Sequence, residues 1–334
     1  MRSLKSSFGN KLARSLCALV MVGTCHQATA QAVSSDYPNR PIRMVVPYAA
    51  GGPMDYIGRT LGQKMAPSLG QNFFIDNRAG AGGAIGSDIV AKALPDGYTL
   101  LNTSSSHASL MVVSKSLPYN PTKDFVPVTL VARSVGFVLA AHPSVSARTL
   151  QEFIADAKAN PTKYNYGSAG VGNVMQFAAE FFNASAGTKI THVPYKGVSQ
   201  ALTDLVAGRI EVSFGSATAL LPFIKSGKLK ALAITGQTRW DQLPDVPTVD
   251  EAGVKGFVYT PWYGFWFPAG TAPEVVTRMR NEVAKALQDP DLKRSFSEQG
   301  FVPVGSTPAE FARVINEEIE MNKRLAQKID FSVQ

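Results

Sequence analysis

The side chains best suited to chemistry are few and badly spaced for it. His107, His142 and His192 are the histidines beyond the N-terminal thirty residues, and none forms an HExxH pair or stands at ligand spacing from a carboxylate, so no metal centre is expected and each reads as a structural histidine. Ser168 lacks the G-x-S-x-G elbow, because Tyr166 stands where its first glycine belongs, so a hydrolase loses its candidate nucleophile. Gly80-Ala81-Gly82-Gly83-Ala84-Ile85-Gly86 mimics a dinucleotide loop, but Ile85 takes the place of the third glycine and no Walker lysine follows. A tight structural turn is expected there, with no cofactor and no catalytic residue.

What the sequence does offer is anion chemistry from backbone amides. Pro47-Tyr48-Ala49-Ala50-Gly51-Gly52-Pro53-Met54-Asp55 lies between a strand and a helix, where glycine lets the backbone approach a ligand and the first-turn N–H groups point outward. Gly167-Ser168-Ala169-Gly170-Val171-Gly172-Asn173 repeats the device further on. From these loops the candidate ligand residues are Tyr48, Ala49, Gly51, Gly52 and Asp55, then Ser168, Ala169, Gly170, Gly172 and Asn173. Ser104, taken to follow a strand, Ser216 at an equivalent strand edge and Tyr195 before a helix complete the set. Asp55 serves either a ligand-bridging water or the helix dipole, and Ser168 either a carboxylate or its own turn. Lys196 faces the same cleft or solvent.

The elements that position these loops alternate. Ile42 to Pro47, Phe73 to Asp76 and Tyr98 to Asn102 read as strands, with helices carrying Met54, Ile57, Leu61 and Met65 on one face and spanning Ser87 to Ala93. A second set holds strands at Phe137 to Ala141, Tyr164 to Tyr166, Ile190 to Val193, Ile210 to Phe214 and Leu229 to Thr235. Its helices cover Thr149 to Ala159, a stretch from Asn173 that buries Val174, Phe177, Ala178 and Phe181, and Val198 to Ala207. An aromatic strand, Tyr259 to Phe267, returns to the first set, and helices follow at Pro273 to Leu287, Pro290 to Gln299 and Pro308 to Lys328, proline suiting the first helical turn. The expectation is α/β: two doubly wound lobes, residues 31–133 with 257–334 and residues 134–256. Two crossings near Leu130 to Gly136 and Phe257 to Tyr263 join them.

Arg2, Lys5, Lys11 and Arg14 precede an apolar run, Leu16 to Val22, and the small-residue site Ala28-Thr29-Ala30, the pattern of a cleaved signal peptide over residues 1–30. Thr24 before Cys25 disfavours lipidation. Cleavage removes Cys17 and Cys25, the 2 cysteines of the chain, and leaves 29 basic against 25 acidic residues. Basic residues occur singly, so a nucleic-acid partner is not expected.

The ordered series Tyr37-Pro38, Tyr48 to Asp55, Asn77-Arg78-Ala79-Gly80-Ala81-Gly82-Gly83 and Pro95-Asp96-Gly97-Tyr98-Thr99-Leu100-Leu101 resembles the Bug (TctC) family, the extracytoplasmic receptors of tripartite tricarboxylate transporters. Tyr166 to Gly172, Val193-Pro194-Tyr195-Lys196-Gly197 and Pro244-Asp245-Val246-Pro247-Thr248 continue it to the C-terminus. The resemblance implies a type II periplasmic-binding fold and a monomer that closes on a small carboxylate: a di- or tricarboxylate, an amino acid or an aromatic acid. It implies no cofactor and, as partners, two membrane permease subunits. The first loop would hold one end of the solute through ordered waters and the second a carboxylate. Met54, Met175 and Gln176 depart from the family pattern and point to a more apolar wall, suited to an aromatic or longer-chain acid. The competing readings are a periplasmic sensor subunit and a secreted α/β enzyme.

Overall fold

The computed structural model describes residues 37–114 and 116–327, so the expected signal peptide over residues 1–30 and its expected cleavage site lie outside the described residues. The first sheet is built from β1 (Ile42–Val46), β2 (Phe73–Asn77), β3 (Thr99–Ser104), β4 (Phe125–Ser134), β10 (Trp262–Pro268) and β11 (Phe301–Pro303), in the order β11-β4-β10-β3-β1-β2. β1 pairs in parallel with β2 and β3, whereas β10 runs antiparallel to both β3 and β4. The second sheet contains β5 (Phe137–Ala141), β6 (Asn165–Ser168), β7 (Thr191–Pro194), β8 (Val212–Ser216) and β9 (Lys230–Ile234), in the order β7-β6-β8-β5-β9.

Helices cover these sheets for reasons visible in the chain. On α1 (Pro53–Leu69), Met54, Ile57, Leu61 and Met65 recur at three and four and are buried, and Gly70 closes the helix at φ 67°. α2 (Ala84–Ala91) follows a 3-10 turn, Ala81–Gly83. α3 (Ser106–Val113) leaves the end of β3 directly. α4 (Leu150–Ala159) opens on a capping box: Thr149 Oγ1 accepts from Glu152 N–H, and the Glu152 carboxylate accepts from Arg148 N–H. α5 (Val174–Ala186), α6 (Val198–Val206) and α7 (Ala217–Lys225) belong to the second sheet, and α8 (Pro273–Ala286), α9 (Pro290–Glu298) and α10 (Pro308–Ala326) return to the first. α1, α8, α9 and α10 each start on proline, which has no N–H to leave unpaired.

Several boundaries differ from the sequence expectation. Ser104 does not follow β3 but ends it, paired opposite Tyr263 of β10. On α5 Phe177 is fully buried as expected, but the second fully buried ring is Phe182, and Phe181 is only partly covered. α3, α7 and β11 were not expected. The residues near 130–136 are mostly strand, because β4 runs through the first sheet to Ser134.

The chain passes between the sheets at Val135-Gly136 and returns before β10. These segments are tied together: Thr235 Oγ1 accepts from Phe137 N–H and donates to the Tyr259 carbonyl, each at 2.7 Å, and Ser134 N–H donates to the Pro261 carbonyl at 2.8 Å. Gly136 has φ 125°, and a Cβ there would collide with the Gly236 backbone, so this crossing requires glycine. Trp262, Tyr263, Phe265, Trp266 and Phe267 are all buried, as core residues of the returning strand.

Candidate functional site

Four helix N-termini converge between the two halves. Pro53 and Met54 open α1, Asn173 caps α5 ahead of Val174 and Met175, Val198 opens α6, and Ser216 precedes α7. With Tyr48, Ser104, Phe137 and Tyr263 they enclose a cavity of about 30 Å³. Among the described residues no Lys, Arg, His, Asp or Glu lines it. α1, α6 and α7 carry no side-chain cap, so their first-turn amides and dipoles give the space a positive character without a basic group. A water needs roughly 10–15 Å³ of such volume, so the cavity admits water-sized occupants.

Ser216 is the orphan of this site. Its residue is 5% exposed, and its Oγ is buried without a hydrogen-bond partner. A buried hydroxyl left unpaired costs about 1–3 kcal/mol, which an incoming acceptor would recover. Ser104, also lining the cavity, donates to Ser106 Oγ at 3.2 Å.

The first loop is organised from within. Gly51 takes φ 85°, and its N–H donates to Asp55 Oδ2 at 3.0 Å. Asp55 also accepts from Arg59, forming an ion pair at 3.0 Å. Burial pushes the Asp55 carboxyl up, but the Arg59 guanidinium and the Gly51 amide outweigh it and hold the group below the usual range. Asp55 therefore shapes the loop and does not line the cavity. Asn77 Nδ2 donates to the Tyr48 carbonyl at 3.1 Å, and Tyr48 Oη donates to the Gly82 carbonyl at 2.8 Å. A Cβ on Gly83 would stand 2.8 Å from Tyr48 Oη, so the glycine run read as a plain turn is also the seat of the Tyr48 hydroxyl.

The second loop is equally self-contained. Ser168 Oγ accepts from Gly170 N–H at 3.1 Å and lies 2.6 Å from His192 Nε2. Burial lowers the His192 pKa to about 4, leaving the ring neutral near pH 7. Ser168 has 0% exposure and its hydroxyl also bonds its own loop at Gly170, so the pair braces the loop. Gly172 N–H donates to Gln176 Oε1, and Asn173 Oδ1 accepts from Met175 N–H, each within 2.9 Å.

Across the gap, Ser106 Oγ accepts from Val174 N–H at 3.1 Å and from Asn173 Nδ2 at 3.3 Å. Ser106 thus caps, from the first half, a helix of the second. Nothing in the sequence marked it, since it sits 68 positions from Val174. The glycine loops also meet directly: a Cβ on Gly82 would lie 2.6 Å from the Val171 carbonyl, and one on Gly170 3.5 Å from Gly82 N.

Of the residues singled out in the sequence, Tyr48, Ser104, Asn173 and Ser216 come together on the central cavity. Gly51 and Gly52 instead border a neighbouring space of about 440 Å³ beside α6 and α7, and Ala49 lies against Gly197. Ala169, Gly170 and Tyr195 line an outer cavity of about 760 Å³, where Tyr195 Oη donates to Asp204 at 2.8 Å. Ser168, Gly172 and Asp55 line none of the three. Among the described residues no cluster of His, Cys, Asp or Glu suits a metal, and no helix is long and apolar enough to cross a membrane.

A family model described as "Tripartite tricarboxylate transporter family receptor" matches residues 57–331. The protein BugT of Bordetella pertussis is 37% identical over 308 residues, covering 91% of this chain and 94% of that protein. Among solved structures, the periplasmic binding protein BugD superposes with a TM-score of 0.83 at 32% identity, covering 87% of this chain and 98% of that one. MatC of Rhodopseudomonas palustris with bound malate gives 0.82 at 32%, covering 86% and 99%, and an R. palustris protein with adipate gives 0.84 at 33%, covering 87% and 98%. The fold is that of type II periplasmic-binding proteins.

Proposed function

The chain belongs to the tripartite tricarboxylate transporter receptor family, and from that premise we propose that it captures a small carboxylate in the central cavity for delivery to a membrane permease. The observation that carries this reading is the meeting of four helix N-termini, three without a side-chain cap, around a space bare of charged side chains. Such a space favours an anion through amide dipoles. The malate and adipate of the two R. palustris relatives belong to that chemical class.

The solute is trapped by closure. Of the described residues, those from 37 to 133 and from 257 to 327 form one lobe, residues 134–256 the other, and they turn about Val135-Gly136 and the segment before Trp262. When they part, α1 on one side and α5, α6 and α7 on the other present their amides to solvent. When they close on a carboxylate, those dipoles and the Ser216 hydroxyl share its charge, and Ser106 latches α5. Met54 and Met175 supply an apolar wall, which favours a dicarboxylate with a methylene body over a hydroxyl-rich one. The protein works as an exported periplasmic monomer, its leader removed at Ala30.

Calorimetry of the chain from residue 31 with malate, adipate and citrate tests the reading, together with mass spectrometry of any solute retained through purification. Saturable one-to-one binding of a dicarboxylate, with adipate bound more tightly than citrate, is expected. No heat from any of the three and no retained organic acid would sink it.

A further inference from the structure

The outer cavity of about 760 Å³ lies within the range of roughly 300–1,000 Å³ typical of small-molecule sites and shares no lining residue with the central one. Its floor is the turn where Tyr48 Oη meets the Gly82 carbonyl. The walls come from both halves. Ile85, Ile89, Leu110, Leu117 and Pro118 belong to the first and Val171 to the second, so most of the lining is apolar, and Ile85 is 51% exposed.

Most polar groups around it are held by neighbours, although one Asp88 carboxylate oxygen is buried without a hydrogen-bond partner. Asp88 is paired with Lys92 at 2.8 Å, Tyr195 Oη is spent on Asp204, and Ser114 Oγ donates to the Ser116 carbonyl at 3.3 Å. Lys196 lines the same cavity, and among the described residues no carboxylate lies within ion-pair distance of its ammonium. It precedes Gly197, the cap residue of α6, whose first turn has no side-chain cap, so charge and dipole there have the same sign. A merely solvated lysine needs no apolar recess beside it. A recess for a neutral apolar molecule needs no unpaired cation.

We propose that this outer cavity is a second small-molecule site, taking an organic monocarboxylate with an apolar body, aliphatic or aromatic, whose carboxylate pairs with Lys196. Because its walls meet at Gly82 and Val171, an occupant spans both halves and holds them together. The inference rests on the outer cavity and not on the central-site reading.

Calorimetry of the full mature chain with octanoate and benzoate, and with benzyl alcohol as the uncharged counterpart, tests it. Saturable octanoate binding is expected, weakened at least about tenfold by Lys196→Gln, which removes a charge-assisted contact, and comparably by Ile85→Asp, which places a like charge on an exposed wall. Malate affinity in both variants should stay within about twofold, as for separate sites. Ser216→Ala should weaken malate and spare octanoate. Absence of saturable octanoate binding, octanoate affinity untouched by both outer variants, or benzyl alcohol bound as tightly as benzoate would each overturn the proposal. Loss of malate binding in the parent protein, with octanoate behaviour as described, would count against the central reading alone.

Discussion

A hydroxyl with no partner makes Ser216 the sharpest single residue in the structure. Ser216→Ala removes a buried polar atom that nothing satisfies, so the ligand-free protein should melt at the same temperature or slightly higher. Malate or adipate affinity should fall by about 1 kcal/mol, close to fivefold, by calorimetry. The neighbouring glycines separate by conformation. Gly51 has φ 85°, whereas Gly52 has φ −90° and a Cβ there would meet only the Ala49 carbonyl at 3.8 Å. Gly52→Ala should therefore bind and melt like the parent, and Gly51→Ala should lose about 1–2 kcal/mol of stability in chemical denaturation. The sequence marked both glycines without telling them apart, because composition carries no φ. Ser104 and Ser216 were readable as polar residues at strand ends. Ser106 was not, since its partners come from the other half of the molecule.

At the scale of elements, the junction of α3 with α5 is a latch. Ser106→Ala leaves the Val174 N–H without its acceptor only while the halves are together, so the closed form alone should lose about 1–3 kcal/mol. Solute affinity should drop between about fivefold and a hundredfold by that figure, with little change in the thermal unfolding of the solute-free protein. Retention of full affinity would show that the solute carries the α5 terminus unaided. Long helices and their proline starts were legible, because periodic apolar faces and missing N–H groups leave marks in the chain. α3 and α7 were not. Each follows its strand with no glycine or proline between, and α7 contains Pro222, so neither carried the punctuation that separates elements elsewhere.

Over the whole molecule, one buried imidazole and one partly buried one tie stability to pH. Burial lowers the His107 pKa to about 4, and its Nε2 lies 3.0 Å from the Pro121 carbonyl. His192 is lowered to about 4 by the same cause. Unfolded histidine titrates near 6.5, so between about 6.5 and 4 the unfolded chain binds protons the folded one refuses. Stability is thus greatest above 6.5 and falls with decreasing pH by about 1.4 kcal/mol per unit for each such group. His107→Phe should lower the melting temperature near neutrality yet flatten its decline towards pH 5; an unchanged slope would mean the ring is already protonated in the fold. Alternation of strands and helices made the two sheets readable in advance. The meeting of the Gly82 and Gly170 loops was not, because their separation in the chain is bridged only by tertiary packing.

The bareness of the central cavity has one more consequence. Peptide groups at helix ends have no dissociable proton in the working range and no amine for a modifying reagent to consume. Grip on a carboxylate should then persist into alkaline buffer, where lysine-based receptors discharge, and should survive acylation of every surface lysine.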